Sequence, residues 1–150
     1  NYGLNTRFIE LAGEVNPSMP DYVIEKLTAA IGKPLAGARI LILGVAYKKN
    51  VDDVRESPSI DIMAKLLAAG AVVDFHDPHV PVLRTKKAGG KLNNAASQPL
   101  DEKTIAAYDA CMVLTDHDKV DYGFLVRHAK RVVDTRNACR GIRSEKIILA

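Results

Sequence analysis

The stretch Arg39-Ile-Leu-Ile-Leu-Gly44 decides the fold of this 150-residue chain. Four consecutive aliphatic residues without polar alternation are typical of a central parallel strand that is buried on both faces. After a polar loop, apolar residues between Ile60 and Leu67 recur at helical spacing, and this helix is expected to end at Gly70. The run Val72-Val-Asp-Phe-His76 then predicts a second strand. Strand, helix and strand in this order indicate a βαβ unit.

The same alternation continues toward the end of the chain. Polar and turn-forming residues from 78 to 100 predict a loop with at most one short helix. Further strands are predicted at Ala110–Leu114, Arg131–Asp134 and Ile147–Leu149, and helices at 101–107 and 122–130. The repeated order predicts an α/β protein with a Rossmann-like, doubly wound parallel sheet of about five strands and helices on both faces.

Two amphipathic helices are predicted before the first strand, at Asn5–Asn16 and at Tyr22–Ile31. Helices that precede the first strand of an α/β unit often contact another domain or subunit. We therefore predict that residues 1–33 connect to a further domain and form a dimer contact, and that residues 34–150 form the main domain. Packing of these helices on the sheet is the alternative.

Composition excludes several classes of function. The 21 basic and 18 acidic residues give a net charge of +3 that is spread along the chain, which gives no reason to expect nucleic acid. No apolar run reaches the roughly 20 residues of a membrane helix, so no membrane association is expected. Cys111 and Cys139 lie in apolar surroundings without C-x-x-C spacing, which predicts buried free thiols and a cytoplasmic location. The chain begins at Asn1 rather than Met, which predicts a piece of a longer protein.

The carboxyl ends of the predicted strands are the expected place for a ligand, because open parallel sheets bind ligands at this edge. Each of the first four predicted strands is followed there by polar residues: Gly44–Asn50, His76–His79, Thr115–Asp118 and Asp134–Asn137.

The loop after the first strand has no G-x-G-x-x-G pattern, so it lacks the usual cradle for a dinucleotide pyrophosphate. It offers instead the aromatic ring of Tyr47, the ammonium groups of Lys48 and Lys49, and then Arg55. A base can stack on the ring, lysine supplies a point charge for phosphate, and arginine supplies a bidentate fork. With Arg136 at a separate strand end, this set favours an anionic nucleotide.

Other interpretations of these polar residues stay open. Lys48, Lys49 and Arg55 could form a solvated loop whose partners are Asp52, Asp53 and Glu56. The segment His76-Asp-Pro-His79 is more typical of a turn than of a metal site. Asp116-His-Asp118 favours a polar strand end over acid-base catalysis, because no nucleophilic Ser or Cys occurs in a recognisable elbow. We predict no catalytic residue and no metal ligand.

Several motifs carry a family resemblance. They are Thr6–Asn16 with Met19–Val23, Ile40–Lys49 followed by Asp53-Val-Arg-Glu-Ser-Pro58, Phe75–His79 and Val133–Asn137. In this order they resemble the C-terminal domain of the UDP-glucose/GDP-mannose dehydrogenase family over nearly the whole chain. Members of this family oxidise the C6 hydroxyl of a nucleotide-linked sugar to a carboxylate by two hydride transfers to NAD.

The resemblance implies a role for each matching residue. Tyr47 and Lys48 match residues that contact the nucleotide diphosphate, and Arg136 matches an arginine that also contacts the substrate. Arg55 matches an arginine that reaches the NAD cofactor across a domain interface. The implied partners are a UDP-sugar, the N-terminal NAD-binding domain of the same parent chain and a second copy in a homodimer. The aromatic position is commonly Phe in the UDP-glucose enzymes and is Tyr47 here.

Thr115-Asp-His117 and the helix at Met19-Pro20 look more like the enzymes for UDP-N-acetylglucosamine or UDP-N-acetylmannosamine than like the UDP-glucose enzymes, which usually have Thr-Glu-Trp at the former place. The family's Gly-Phe-Gly-Gly-x-Cys stretch is missing, so neither Cys111 nor Cys139 is expected to be the nucleophile. The chain alone should bind without catalysing. Two other classes remain: a free-standing nucleotide-binding or regulatory module, and an assembly domain that dimerises through its first two helices.

Overall fold

The computed structural model describes residues 19–150. The elements along this part of the chain are α1 (Met19–Ile31), β1 (Arg39–Leu43), α2 (Pro58–Ala68), β2 (Val72–His76), α3 (Glu102–Ala106), β3 (Ala110–Val113), α4 (Tyr122–His128), β4 (Val132–Asp134) and β5 (Ile147–Leu149). A one-turn 3₁₀ helix, Ala88–Gly90, lies in the connection between β2 and α3. The helix predicted at Asn5–Asn16 lies outside the described residues.

The strands form one parallel sheet in the order β2-β1-β3-β4-β5. From β1 the chain crosses to one side, to β2, whereas from β3 it crosses to the other side, to β4. The strand order therefore reverses between β1 and β3, and the carboxyl ends of these two strands flank the crevice where such sheets bind ligands. The predicted doubly wound sheet of about five strands is confirmed.

Alternate residues of the central strands face two separate hydrophobic layers. Ile40 and Ile42 of β1 belong to the core under α1 and α2, whereas Leu41 and Leu43 belong to the core under α3 and α4. All four are fully buried, which explains why β1 has no polar alternation. Helices thus cover both faces, and only the edges of the sheet are open to ligands.

Helix α1 packs on this sheet. Val23 and Leu27 are 1% and 0% exposed and join the first core layer, and Asp21 forms an ion pair with Lys65 of α2 at 3.1 Å. Packing on the sheet was the alternative for both predicted helices, and α1 does pack there, because its apolar face fits beside α2. Dimer formation through residues 1–33 stays a prediction.

Helix boundaries follow local chemistry. Ser57 caps α2 by accepting a hydrogen bond from the Ser59 N–H, Pro58 occupies its first turn, and Gly70 with a φ of 92° follows its end. Helix α4 ends at His128 rather than at the predicted Lys130, because Ala129 already has extended backbone that leads into β4. None of the described helices is long and apolar enough to cross a membrane.

Candidate functional site

The loop after β1, residues 44–50, begins with an unusually close approach to the end of β3. Gly44 has a φ of +90°, and a Cβ placed on it would lie 2.4 Å from the carbonyl oxygen of Thr115. Only glycine fits there. The space beside Gly44 is therefore filled by Thr115, just after β3, and the loop does not open around this glycine.

The fully buried carboxylate of Asp77, just after β2, binds three donors from different segments. Its Oδ2 accepts hydrogen bonds from the Val45 N–H and from His117 Nε2, each at 2.9 Å. Its Oδ1 accepts from the His79 N–H at 2.8 Å. These bonds tie the ends of β1, β2 and β3 together at the switch point. Within residues 19–150, no three His, Cys, Asp or Glu side chains are arranged to hold a metal ion.

His117, whose side chain is fully buried, uses both ring nitrogens inside the protein. Its Nδ1 accepts a hydrogen bond from the backbone N–H of Asn50 at 2.7 Å, so Nδ1 carries no proton. The Nε2–H then donates to Asp77. Neither nitrogen is free to exchange a proton with a ligand, which agrees with the polar strand-end role predicted for this residue.

The middle of the loop is fixed through its backbone. The carbonyl oxygen of Ala46 accepts hydrogen bonds from the hydroxyls of Thr115, at 2.8 Å, and Ser57, at 3.3 Å. The Tyr47 N–H donates to the carbonyl oxygen of Asp53 at 2.7 Å. The loop thus has a defined path from Gly44 to Asn50, in which Val45 and Ala46 are buried and the side chains of residues 47–50 are exposed.

The side chains presented by this loop are an exposed ring and two ammonium groups. Tyr47 is 52% exposed, and Lys48 is exposed and forms no ion pair with any residue from 19 to 150. Lys49 lies 3.2 Å from Asp118 and 3.9 Å from Asp116. Lys49 thus pairs with acidic residues other than those that the solvated-loop alternative named, whereas an exposed Lys48 remains compatible with that alternative.

The turn after β4 is organised by Asp134. Its Oδ1 accepts from the N–H groups of Arg136 and Ala138 at 3.0 and 3.1 Å, and its Oδ2 accepts from the Cys139 N–H at 2.8 Å. This turn fixes the backbone of Arg136 and directs its side chain toward Asp116.

Asp116 links the β4 turn to the β1 loop. Arg136 Nε lies 3.4 Å from Asp116 Oδ1 and Lys49 Nζ lies 3.9 Å from Asp116 Oδ2. The Arg136 contact is an ion pair without hydrogen-bond alignment, since the buried Oδ1 has no hydrogen-bond partner. Tyr47, Lys48 and Arg136 therefore lie at the same edge of the sheet, on loops that Asp116 bridges across β3.

Arg55 is not part of this group. Its side chain is 87% exposed and binds Asp53 through Nε and Nη2, both at 3.0 Å. These hydrogen bonds lower the pKa of Asp53 to about 2. Here the pairing expected of a solvated loop is confirmed. Arg55 lines a basic depression of about 540 Å³ together with Arg84, Lys86 and Lys87.

Both cysteines are free and buried, as predicted. Burial raises the pKa of each thiol to about 12, and the charge of Asp134 contributes at Cys139. A thiol with so high a pKa is a poor nucleophile at neutral pH.

Long-range hydrogen bonds that the sequence did not indicate hold this site together. The roles of Asp77, His117 and Asn50 depend on partners 32 to 67 residues away, and no local pattern indicates them. Asp134 was detectable, because a carboxylate that precedes a polar turn commonly binds the N–H groups of that turn.

Comparisons with known proteins identify the family. Residues 41–141 match the model of the UDP-glucose/GDP-mannose dehydrogenase family, UDP binding domain. The chain is 37% identical over 115 residues to a UDP-N-acetyl-D-mannosamine dehydrogenase of Methanococcus maripaludis, a match that covers 76% of the chain and 24% of that protein. It is 33% identical over 135 residues to an NDP-N-acetyl-D-galactosaminuronic acid dehydrogenase of Ralstonia solanacearum, covering 88% of the chain and 30% of that protein.

A solved UDP-glucose dehydrogenase from Pyrobaculum islandicum aligns with a TM-score of 0.66 and 28% identity, over 95% of this chain and 34% of that one. A UDP-D-ManNAc dehydrogenase from Pyrococcus horikoshii aligns with a TM-score of 0.68 over 94% of this chain and 34% of that one, and its 23% identity shows the fold alone. The chain thus spans about a quarter to a third of these relatives. It belongs to the UDP-glucose/GDP-mannose dehydrogenase family and comprises its UDP-binding domain.

Proposed function

We propose that this chain binds the UDP portion of a nucleotide sugar at the carboxyl edge of its sheet, through Tyr47, Lys48 and Arg136. The observation that carries the proposal is the anchored loop that presents Lys48 without an ion-pair partner among residues 19–150, on the same edge as Arg136. A diphosphate brings negative charge to these cations, and arginine can bind it in a bidentate manner. Because both loops are held by buried hydrogen bonds, little ordering is needed on binding.

The larger function is the oxidation of the C6 hydroxyl of that sugar to a carboxylate by an NAD-dependent dehydrogenase of which this chain is the C-terminal domain. Family membership supports it. The domain contributes binding energy rather than a nucleophile, because both of its thiols are buried. NAD, which accepts the hydride, is held mainly by an N-terminal domain. The exposed Arg55 faces that domain.

The substrate we favour is a UDP-N-acetylhexosamine. Support comes from relatives named as UDP-N-acetyl-D-mannosamine and NDP-N-acetyl-D-galactosaminuronic acid dehydrogenases. We also propose a homodimer that uses residues 1–33 and a cytoplasmic location, in which the two cysteines stay free.

Calorimetry with UDP on the full-length protein tests the nucleotide site. Lys48→Ala and Arg136→Ala should each weaken UDP binding by roughly tenfold or more, the usual effect of losing a charge-assisted hydrogen bond. Matched controls are Lys130→Ala and Arg131→Ala, which remove the same charges at the opposite edge of the sheet, where β4 begins. Unchanged affinity in both test variants would reject this site.

Steady-state kinetics of the full-length protein test the larger function. We expect oxidation of UDP-N-acetylglucosamine or UDP-N-acetylmannosamine in preference to UDP-glucose. Arg55→Ala should raise the KM for NAD and leave UDP affinity unchanged. Lack of activity with all three sugars would favour the alternative of a binding or regulatory module.

A further inference from the structure

The end of the β1 loop is held by one short segment of the molecule. Asn50 has a φ of 62°, a left-handed conformation that needs support in a residue other than glycine. Its N–H donates to His117 Nδ1, its Nδ2 donates to Asp118 Oδ2 at 2.8 Å, and its Oδ1 accepts from the Asp118 N–H at 2.9 Å. All of these partners lie just after β3.

Lys48 lies between this anchor and the backbone bond of Tyr47. On one side, the Tyr47 N–H is bound to Asp53. On the other side, two residues further on, the Asn50 N–H is bound to His117. Lys48 has no ion pair within residues 19–150 that would fix its side chain, so the path of the backbone between these anchors sets where its ammonium group can reach.

Whether His117 Nδ1 can accept a hydrogen bond depends on the hydrogen bond that the other ring nitrogen, Nε2, makes. Because the Nε2–H of the ring donates to Asp77, the lone pair of Nδ1 is directed at the Asn50 N–H. Asp77 also accepts from the Val45 N–H, so the same pair of residues holds the two ends of the loop. Both side chains are 0% exposed, so water does not compete for the bonds of Asp77 with His117 and with the Val45 N–H.

We propose that His117 is a positioning residue for nucleotide binding: its Nε2–H tautomer, set by Asp77, fixes the backbone at Asn50 and thereby places Lys48 for the diphosphate. The inference rests on the proposed nucleotide site. His117 itself does not touch the ligand.

Two substitutions of His117 test its two hydrogen bonds separately. In His117→Asn the amide can occupy the place of Nδ1 and accept from Asn50, whereas in His117→Gln it can occupy the place of Nε2 and donate to Asp77. In the full-length protein, His117→Gln should weaken UDP binding by about tenfold, while His117→Asn should stay within about twofold of wild type. Ser97→Ala, which removes the acceptor of the Asp77 N–H, is the control for loss of stability alone and should bind UDP normally.

Coupling to Lys48 distinguishes positioning from a general structural role. In a Lys48→Ala background, His117→Gln should cause no further loss of UDP affinity, because the group that it positions is gone. Additive losses would contradict the proposal. A folded His117→Gln protein with wild-type affinity would also overturn it.

Nuclear magnetic resonance on the wild-type protein needs no variant. The ¹⁵N shifts of His117 should show a protonated Nε2 and an unprotonated Nδ1. The Asn50 amide, which donates to that Nδ1, should be protected from hydrogen exchange. A protonated Nδ1 or an unprotected Asn50 amide would overturn the proposal. If wild type does not bind UDP, the nucleotide site is wrong, and these two signals still decide whether the ring holds the loop.

Discussion

The β1 loop and the β4 turn carry the residues proposed to bind the nucleotide, but they are stabilised in different ways. The β1 loop is bound by the side chains of Asp77 and His117, which are 32 and 67 residues from their partners in that loop. The β4 turn is bound by Asp134, whose three partners lie two to five residues further on. One loop depends on the assembled sheet, whereas the other is stabilised mainly by its own sequence.

This difference indicates how each loop should respond to the loss of one of its hydrogen bonds. Loss of a long-range bond in the β1 loop loosens three strand ends together, because Asp77 joins β1, β2 and β3. Loss of a local bond in the β4 turn affects one turn. The three experiments below measure this contrast.

The largest effect is expected from Gly44→Ala, which tests the close approach of β1 to β3. The new Cβ would meet the backbone of Thr115 at 2.4 Å and the residue would keep a φ of +90°. Overpacking and left-handed strain together should lower the free energy of unfolding by about 3 kcal/mol or more. Urea denaturation measures it. Gly141→Ala is the matched control, because it has a φ of +83° with nothing within 4 Å, and should cost only about 1 kcal/mol. Equal losses of unfolding free energy in the two variants would show that the close approach of Gly44 to Thr115 does not add to the cost of a Cβ.

An intermediate effect is expected from Asp77→Asn compared with Asp134→Asn. The amide at position 77 retains the acceptor for His79 but can place an N–H group against the Val45 N–H and the Nε2–H of His117. This should cost about 2–4 kcal/mol, because buried donors are left without acceptors.

At position 134 the amide can still accept from Arg136 and Ala138 and loses only the bond from Cys139. A loss of about 1–2 kcal/mol is expected in the same denaturation experiment. If Asp134→Asn proved the more damaging, the contrast between long-range and local support would be wrong.

The smallest effect is expected in the pH dependence of stability and in the alkylation of the two buried thiols. Burial raises the pKa of Cys139 to about 12, above its usual 9.0, so folding favours the neutral thiol. This contribution to stability is complete below pH 9 and is lost as the pH rises toward 12. At pH 8 the folded protein should react slowly with iodoacetamide at Cys111 and Cys139, as measured by mass spectrometry of the peptides.

Asp134→Asn should speed alkylation of Cys139 alone, because it opens only the β4 turn. Asp77→Asn, in a protein that remains folded, should leave Cys139 as slow as in wild type. Equal acceleration at Cys111 would indicate global unfolding instead of local opening.

The sequence by itself determined the local elements of this protein. Hydrophobic runs of the right length placed β1 to β5 to within one residue. The signal is clearest in the central strands β1 and β3, because strands that are buried on both faces need continuous apolar side chains. Turn and capping chemistry placed α1 to α4 to within a few residues. The polar residues after the first four strands predicted a ligand site at the carboxyl edge of the sheet, and the family motifs included Tyr47, Lys48 and Arg136.

Only the tertiary structure decided which of these residues act together. The order β2-β1-β3-β4-β5 brings the end of β3 between the β1 loop and the β4 turn, so Asp116 can bridge Lys49 and Arg136. The same order joins Asp77 to His117 and His117 to Asn50, and leaves Arg55 in a separate basic depression. Sequence periodicity assigns a residue to a face or an end of its own element. Contacts between the ends of different strands form only when the sheet has assembled, because the strand order determines which ends are adjacent.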